Sequence, residues 1–169
     1  MHGADQQRLF DQWINHHRGL LFKVVRAYAF TLQDQEDLFQ EIAAQFWRSV
    51  PNFRGEAATT TWIYWVALNT AIAWTRNERK HRDGKQSMEG VEPIILEASA
   101  AHPQVDWLYA QIRELNEIDR SLTRLLLDGF SYRDMANMLG ITENHVGVKI
   151  NRIKAHLTKQ SKEEASHGV

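Results

Sequence analysis

In the segment TENHVGVKINR, residues 142–152, a helix would carry Asn144, His145, Val148, Lys149 and Arg152 on one side. These side chains suit nucleic acid: Lys and Arg donate to guanine or phosphate, Asn reads adenine, and a Val methyl packs on the methyl of thymine. At about 100° per residue, Val146, Ile150, Ile153 and Leu157 fall on the opposite stripe, the side to bury. A solvated amphipathic helix would show the same periodicity. What argues for DNA is the order of the signals before it. Gly129-Phe130-Ser131 closes one helix and offers Ser131 as the cap of the next; Gly140 ends that second helix, and Thr142 caps the third. Two helices joined by a short turn containing Gly form the helix-turn-helix pattern, whose second helix presents its N-terminal residues to base edges.

A second candidate surface lies in WIYWVALNTAIAWTR, residues 62–76, which as a helix is apolar nearly all round and so predicts a central packed position. Asn69 is the polar exception, on the face of Trp62, Trp65 and Ala73. A buried amide there must be bonded or must serve a ligand. The rings run straight into Arg76, Arg79 and Lys80, and Phe53 and Arg54 stand in the loop before. Stacking surfaces beside phosphate binders are what single-stranded nucleic acid needs, although core packing explains each Trp taken singly.

A third is DQEDLFQEIAAQFWRSV, residues 34–50, read as a helix capped by Asp34, buried through Leu38, Phe39, Ile42 and Phe46, and stopped by Pro51. Opposite that stripe lie Asp37, Gln40 and Trp47, with Glu41 at the margin. An acidic, amide-rich face with an aromatic is the kind that protein interfaces collect; the alternative folds Trp47 back on the core. Leu9 to Tyr28 predicts one or two helices interrupted near His17-Arg18-Gly19. The adjacent His16 and His17 point apart on a helix and lack a clear third ligand, so both are expected at the surface and no metal site is expected.

The elements that must position these residues follow from composition. At 169 residues, 43% apolar and 24% charged, the chain reads as a globular protein of one or two all-α domains. Domains are expected at 1–82 and 105–160, joined by a Gly-, Ser-, Glu- and Pro-containing linker at 83–104 and followed by a frayed tail at 161–169. The absence of Cys excludes disulfides and thiolate-ligated zinc. No apolar run approaches the roughly 18 residues of a membrane span, so no membrane insertion and a cytoplasmic location are expected. Metalloprotease, phosphate-loop and nucleophile-elbow motifs are lacking, so neither an enzyme nor a cofactor is expected. The net charge of −1 is unevenly divided: residues 76–88 carry +3 and 131–169 carry +2, while 89–130 carry −5. Positive charge is concentrated where phosphate contacts would be useful, and its modest total suggests weak DNA binding without help from a partner.

Taken in order from Leu9 to Leu157, these segments resemble the extracytoplasmic-function class of bacterial sigma-70 factors. DQEDLFQEIAAQFW is similar to the family's helix that docks on RNA polymerase, FRGE followed by TWIYWVALNTAI to its segment that opens and reads the promoter −10 element, and SYRDMANMLGITENHVGVKINRIKAHL to its −35 reader. The resemblance implies two helical domains and, as partners, core RNA polymerase, promoter DNA and an anti-sigma protein. It assigns docking to Asp37, Gln40, Glu41 and Trp47, −10 contacts to Phe53, Arg54, Trp62, Trp65, Asn69, Arg76, Arg79 and Lys80, and −35 contacts to Asn144, His145, Val148, Lys149 and Arg152. Asn69 would line a pocket for a flipped −10 base. Leu115-Asn116 replaces the family's usual Leu-Pro, Leu68 stands at a position commonly basic, and Asn144 to Lys149 depart from its usual recognition sequence, so promoter preference does not carry over. A conventional helix-turn-helix repressor or activator is the alternative reading; it predicts a symmetric operator and leaves the Asp37 face without a role.

Overall fold

The computed structural model describes residues 3–55, 58–83 and 102–167, which form helices and connecting turns arranged in two compact units, one before and one after residue 100. The residues from 84 to 101, most of the expected linker, lie outside the described residues.

In the first unit α1 (Gly3–His16) and α2 (Arg18–Tyr28) are almost continuous, broken at His17 alone. The His17 N–H still donates to Trp13 O at 3.0 Å, and the His17 imidazole Nδ1 lies 3.1 Å from the same oxygen. A side chain inserted into the i−4 ladder is an ordinary cause of a kink. His17 is therefore buried, against the expectation of two surface histidines, while His16 remains exposed. α3 (Leu32–Ser49) starts earlier than the sequence suggests. Its cap is Thr31, whose hydroxyl accepts the Asp34 N–H at 3.1 Å, and Asp34 sits in the first turn, where its charge suits the helix dipole. A 3₁₀ turn, Val50–Asn52, carries Pro51 and ends the helix as expected.

The long helix α4 (Thr59–Asp83) packs against α2 and α3. Ile63, Tyr64, Val66, Ala67, Leu68, Ala71 and Ile72 are buried on a broad arc, against Leu21, Val24, Tyr28, Leu38, Ile42 and Phe46 from its neighbours. Phe39, expected in the core stripe, is only half-buried and stacks on the exposed Phe22 at 5.8 Å. The arc does not close. Trp65, Asn69 and Ala73 stay exposed, so α4 is central without being enclosed.

The second unit comprises α5 (Pro103–Arg113), α6 (Glu117–Leu127), α7 (Tyr132–Leu139) and α8 (Glu143–His167). α5 begins inside the stretch read as linker, with Pro103 at the helix start where its missing N–H costs nothing. α8 continues to His167, where the sequence suggested a frayed tail. Asn116, standing where the family commonly has Pro, caps α6 by accepting the Asp119 N–H at 2.9 Å. The buried Arg120 locks the corner, donating to Leu115 O at 2.7 Å and Arg113 O at 2.9 Å.

The helix-turn-helix geometry is set locally. After α6 the Gly129 N–H donates to Leu126 O and the Phe130 N–H to Leu125 O, a Schellman closure with Gly129 at φ 82°. Ser131 accepts the Asp134 N–H at 3.1 Å, and Thr142 accepts the His145 N–H at 3.1 Å, both as expected. Gly140 is left-handed at φ 69°. Met135, Ala136, Val146, Ile150 and Ile153 are buried along the α7–α8 seam, with Leu157 only half-buried at its end.

Two glycines of this unit should respond in opposite directions to alanine. A Cβ at Gly140 would meet nothing within 4 Å, so Gly140→Ala is penalised by its positive φ alone, by about 1–2 kcal/mol. At Gly147, inside α8, a Cβ would lie 3.7 Å from Tyr132 Cε2, an ordinary contact, so Gly147→Ala should stabilise by about 0.5–1 kcal/mol. Hydrogen-exchange protection of the α8 amides checks both signs.

Candidate functional surfaces

Three surfaces gather the residues singled out from the sequence. The first is an open groove of about 560 Å³ between α3 and α4. Asp37, Gln40 and Glu41, all exposed, form one wall. Trp74, Asn77 and Glu78 form the other, since positions three and four apart share a helix face. The carboxylates of Asp37, Glu41 and Glu78 face this space with no Lys or Arg among its lining residues. The α4 wall reaches past the apolar segment that ends at Arg76; in the sequence only the spacing of Thr70, Trp74 and Glu78 signals it. Trp47 does not line the groove. Its ring meets Phe10 of α1 edge-on at 5.5 Å while 38% of the residue remains accessible, so it is partly folded back and partly presented.

The second surface runs along α4. Trp65 is 44% exposed, and Asn69 is exposed beside it. The expectation of a buried amide is overturned: α2 and α3 cover other arcs of the helix, and the Asn69 Nδ2 donates to Trp65 O at 2.8 Å. Because α4 extends to Asp83, Arg76 and Lys80 stand seven and eleven residues after Asn69, which continues the same stripe. Arg79 is exposed to one side of it. Leu68 is fully buried among the core residues. Trp62 is half-buried, tilted 5.1 Å from both Trp13 and Phe53, and Phe53 meets Trp13 edge-on at 5.2 Å. Phe53 and Trp62 thus belong to a three-ring cluster at the head of the stripe, with Arg54 exposed next to Phe53.

The third surface is the outer face of α8. Asn144, His145, Val148 and Arg152 are exposed, Val148 to 42%. Lys149 departs from the expectation. It sits at the edge of the buried stripe, and its Nζ pairs with Asp119 Oδ1 of α6 at 3.3 Å, which leaves the side chain 24% accessible. Asp119 also accepts Asn116 Nδ2 at 3.1 Å, so the carboxylate is held in place. Tyr132, 37% exposed at the start of α7, lies over Gly147 and joins this face. No motif flagged it. A glycine inside a helix was the sign that a neighbour comes close.

Among the described residues no helix is long and apolar enough to cross a membrane, and no group of three His, Asp or Glu could hold a metal ion. Residues 13–81, which hold the groove and the α4 stripe, match the family model for sigma-70 region 2. Along 94% of its length the chain is 25% identical to the ECF RNA polymerase sigma factor SigM of Mycobacterium tuberculosis, 80% of which is covered. It is 26% identical to the sigma factor YlaC of Bacillus subtilis over 79% of this chain and 83% of that one. The fold is similar to the sigma factor RpoE of Bartonella quintana, solved with the anti-sigma factor NepR, with a TM-score of 0.72 over 90% of this chain and 96% of that one. Motif order, all-helical two-unit architecture and these likenesses agree: residues 13–81 carry a sigma-70 region 2, the chain along its length is similar to sigma factors of the extracytoplasmic-function class, and it acts as a sigma factor in transcription initiation.

Proposed function

We propose that this sigma factor docks on core RNA polymerase through the α3–α4 groove, reads the −10 element with the α4 stripe, and reads the −35 element with the outer face of α8. The observation that carries the proposal is the stripe itself. One rigid helix sets Trp62, Trp65, Asn69, Arg76 and Lys80 in line, aromatic at one end and basic at the other. Stacking rings followed by phosphate binders fit an unpaired strand leaving a duplex. The groove is acidic and includes Trp74, so the partner surface that fills it would be basic with an apolar centre. Docking both DNA-binding units on one polymerase converts two weak contacts into one strong one through effective concentration.

No covalent step is assigned to this chain; it selects and holds the promoter, and the polymerase performs the chemistry. A regulatory partner of the anti-sigma kind, as in the Bartonella complex, is part of the proposal. A conventional repressor or activator would leave the acidic groove unused and would need a two-fold arrangement of α8 helices.

Three outcomes are expected. Asp37→Arg with Gln40→Ala, and separately Glu78→Lys on the opposite wall, abolish co-elution with core polymerase while helical content is unchanged; co-elution of either at the parental level removes the groove from the docking surface.

On the −35 side, Arg152→Ala weakens holoenzyme binding by about 1–3 kcal/mol if the contact is bidentate to a base. Asp119→Asn releases Lys149 and acts oppositely, raising affinity and steepening the salt dependence by about one released ion. Titrations at several salt concentrations separate these effects.

Along the stripe, Trp65→Ala and Asn69→Ala change stability by no more than about 0.5 kcal/mol, as exposed sites do. They nevertheless alter base tolerance within the −10 element. Transcription from a randomised −10 library checks this, and superimposable preferences at every position would exclude the stripe from base reading.

A further inference from the structure

We infer that His17 is a positioning residue for promoter opening: through Thr60 and Trp13 it holds both ends of the connection between Phe53 and Thr60 against the head of the α4 stripe. The inference rests on the proposed −10 role of that stripe. Its geometry is independent of it.

His17 is the residue at which α1 and α2 break, and it is buried. Its Nδ1 faces Trp13 O at 3.1 Å, and a carbonyl can only accept, so Nδ1 carries the hydrogen. In the neutral ring Nε2 is then the acceptor, and 3.3 Å away stands the hydroxyl of Thr60, the second residue of α4. One helical turn before His17, Trp13 is buried against Phe53 at 5.2 Å and Trp62 at 5.1 Å. Trp13 and His17, four apart on one face, therefore grip the chain on both sides of the connection, Phe53 by ring contact and Thr60 by hydrogen bond. A histidine that only filled core space would need no partner on α4. The link to an exposed threonine, 43 residues away in sequence, fixes where Phe53 and Arg54 stand relative to Trp65 and Asn69. Capturing an unstacked base requires that placement in advance, since a mobile wall would have to be ordered at the moment of binding.

The test compares Thr60→Val, which keeps the shape and removes the hydroxyl, with Thr60→Ser, which keeps the hydroxyl, and with His17→Phe and the double variant His17→Phe/Thr60→Val. Each is assembled as holoenzyme with core polymerase. Opening is read by permanganate reactivity of −10 thymines, alongside core affinity and thermal midpoint. Near-ultraviolet circular dichroism of the free protein reports the Trp13–Phe53–Trp62 arrangement.

Thr60→Val is expected to lower opening about two- to tenfold, the equivalent of one lost hydrogen bond, with parental core affinity and a lower thermal midpoint, because the buried His17 Nε2 loses its donor. Thr60→Ser should restore opening, and the double variant should lose no more than either single one. Equal opening by Thr60→Val and Thr60→Ser overturns the inference, as do additive losses in the double variant, which would mean that Thr60 acts on DNA by itself. If His17→Phe fails to fold, the Val and Ser pair still decides. An unchanged near-ultraviolet spectrum in Thr60→Val overturns the positioning role alone. A changed spectrum with parental opening overturns the −10 assignment beneath it.

Discussion

Helix α4 has to be a core element and a surface element at once, and the rest of the first unit follows from that constraint. Over Ile63 to Ile72 it supplies the apolar arc that α2 and α3 cover. Fully burying a large aliphatic or aromatic side chain is worth about 1.5–3 kcal/mol, so this arc is a main source of the unit's stability. The same helix leaves Trp65 and Asn69 in solvent and then runs on as a charged rod to Asp83. A helix packed on two sides cannot rotate to hide Trp65 without exposing Tyr64 or Leu68. The exposed aromatic is thus enforced by the core behind it.

That arrangement also separates charge of opposite sign on one element. The groove wall of α4 bears Glu78 opposite Asp37 and Glu41, while the neighbouring stripe bears Arg76 and Lys80. A chain with a net charge of −1 has little long-range attraction for DNA, but its local fields can orient it toward a basic protein on one side and a phosphate backbone on the other. Because groove and stripe share a rigid helix, a partner seated in the groove would fix the stripe in space. This is the physical content of the proposed coupling between docking and promoter reading.

The second unit is organised differently, by local backbone chemistry more than by one long packed helix. Gly129, Ser131, Gly140 and Thr142 each satisfy or redirect helix-terminal groups; the first two build the turn from α6 to α7, and the last two the turn from α7 to α8. Buried Arg120 and Arg124 then brace α6. Arg120 holds carbonyls of the preceding turn, while Arg124 donates to both Asp128 oxygens at 3.1 Å and lies over the Tyr109 ring. A buried charge of this kind is tolerated because it is bonded and paired.

The sequence by itself determined the helical class, the order of the elements, the caps of the helix-turn-helix and most of the exposed face of α8. All of these depend on residues within a turn or two of one another, where periodicity and capping chemistry are sufficient. The tertiary structure alone decided what depends on a neighbour from elsewhere in the chain. Lys149 looked fully exposed by angle, but Asp119 of α6, 30 residues away, pairs with it. His17 looked like a surface histidine until Thr60, 43 residues on, supplied its partner. Asn69 looked buried because its helical neighbours are apolar, yet which arc of α4 is covered depends on where α2 and α3 pack. The groove needed both α3 and α4, so the sequence could offer Asp37, Gln40 and Glu41 but not the wall of Trp74, Asn77 and Glu78 that completes it. Periodicity reports which face of a helix is apolar; only packing decides which part of that face is enclosed and what meets it there.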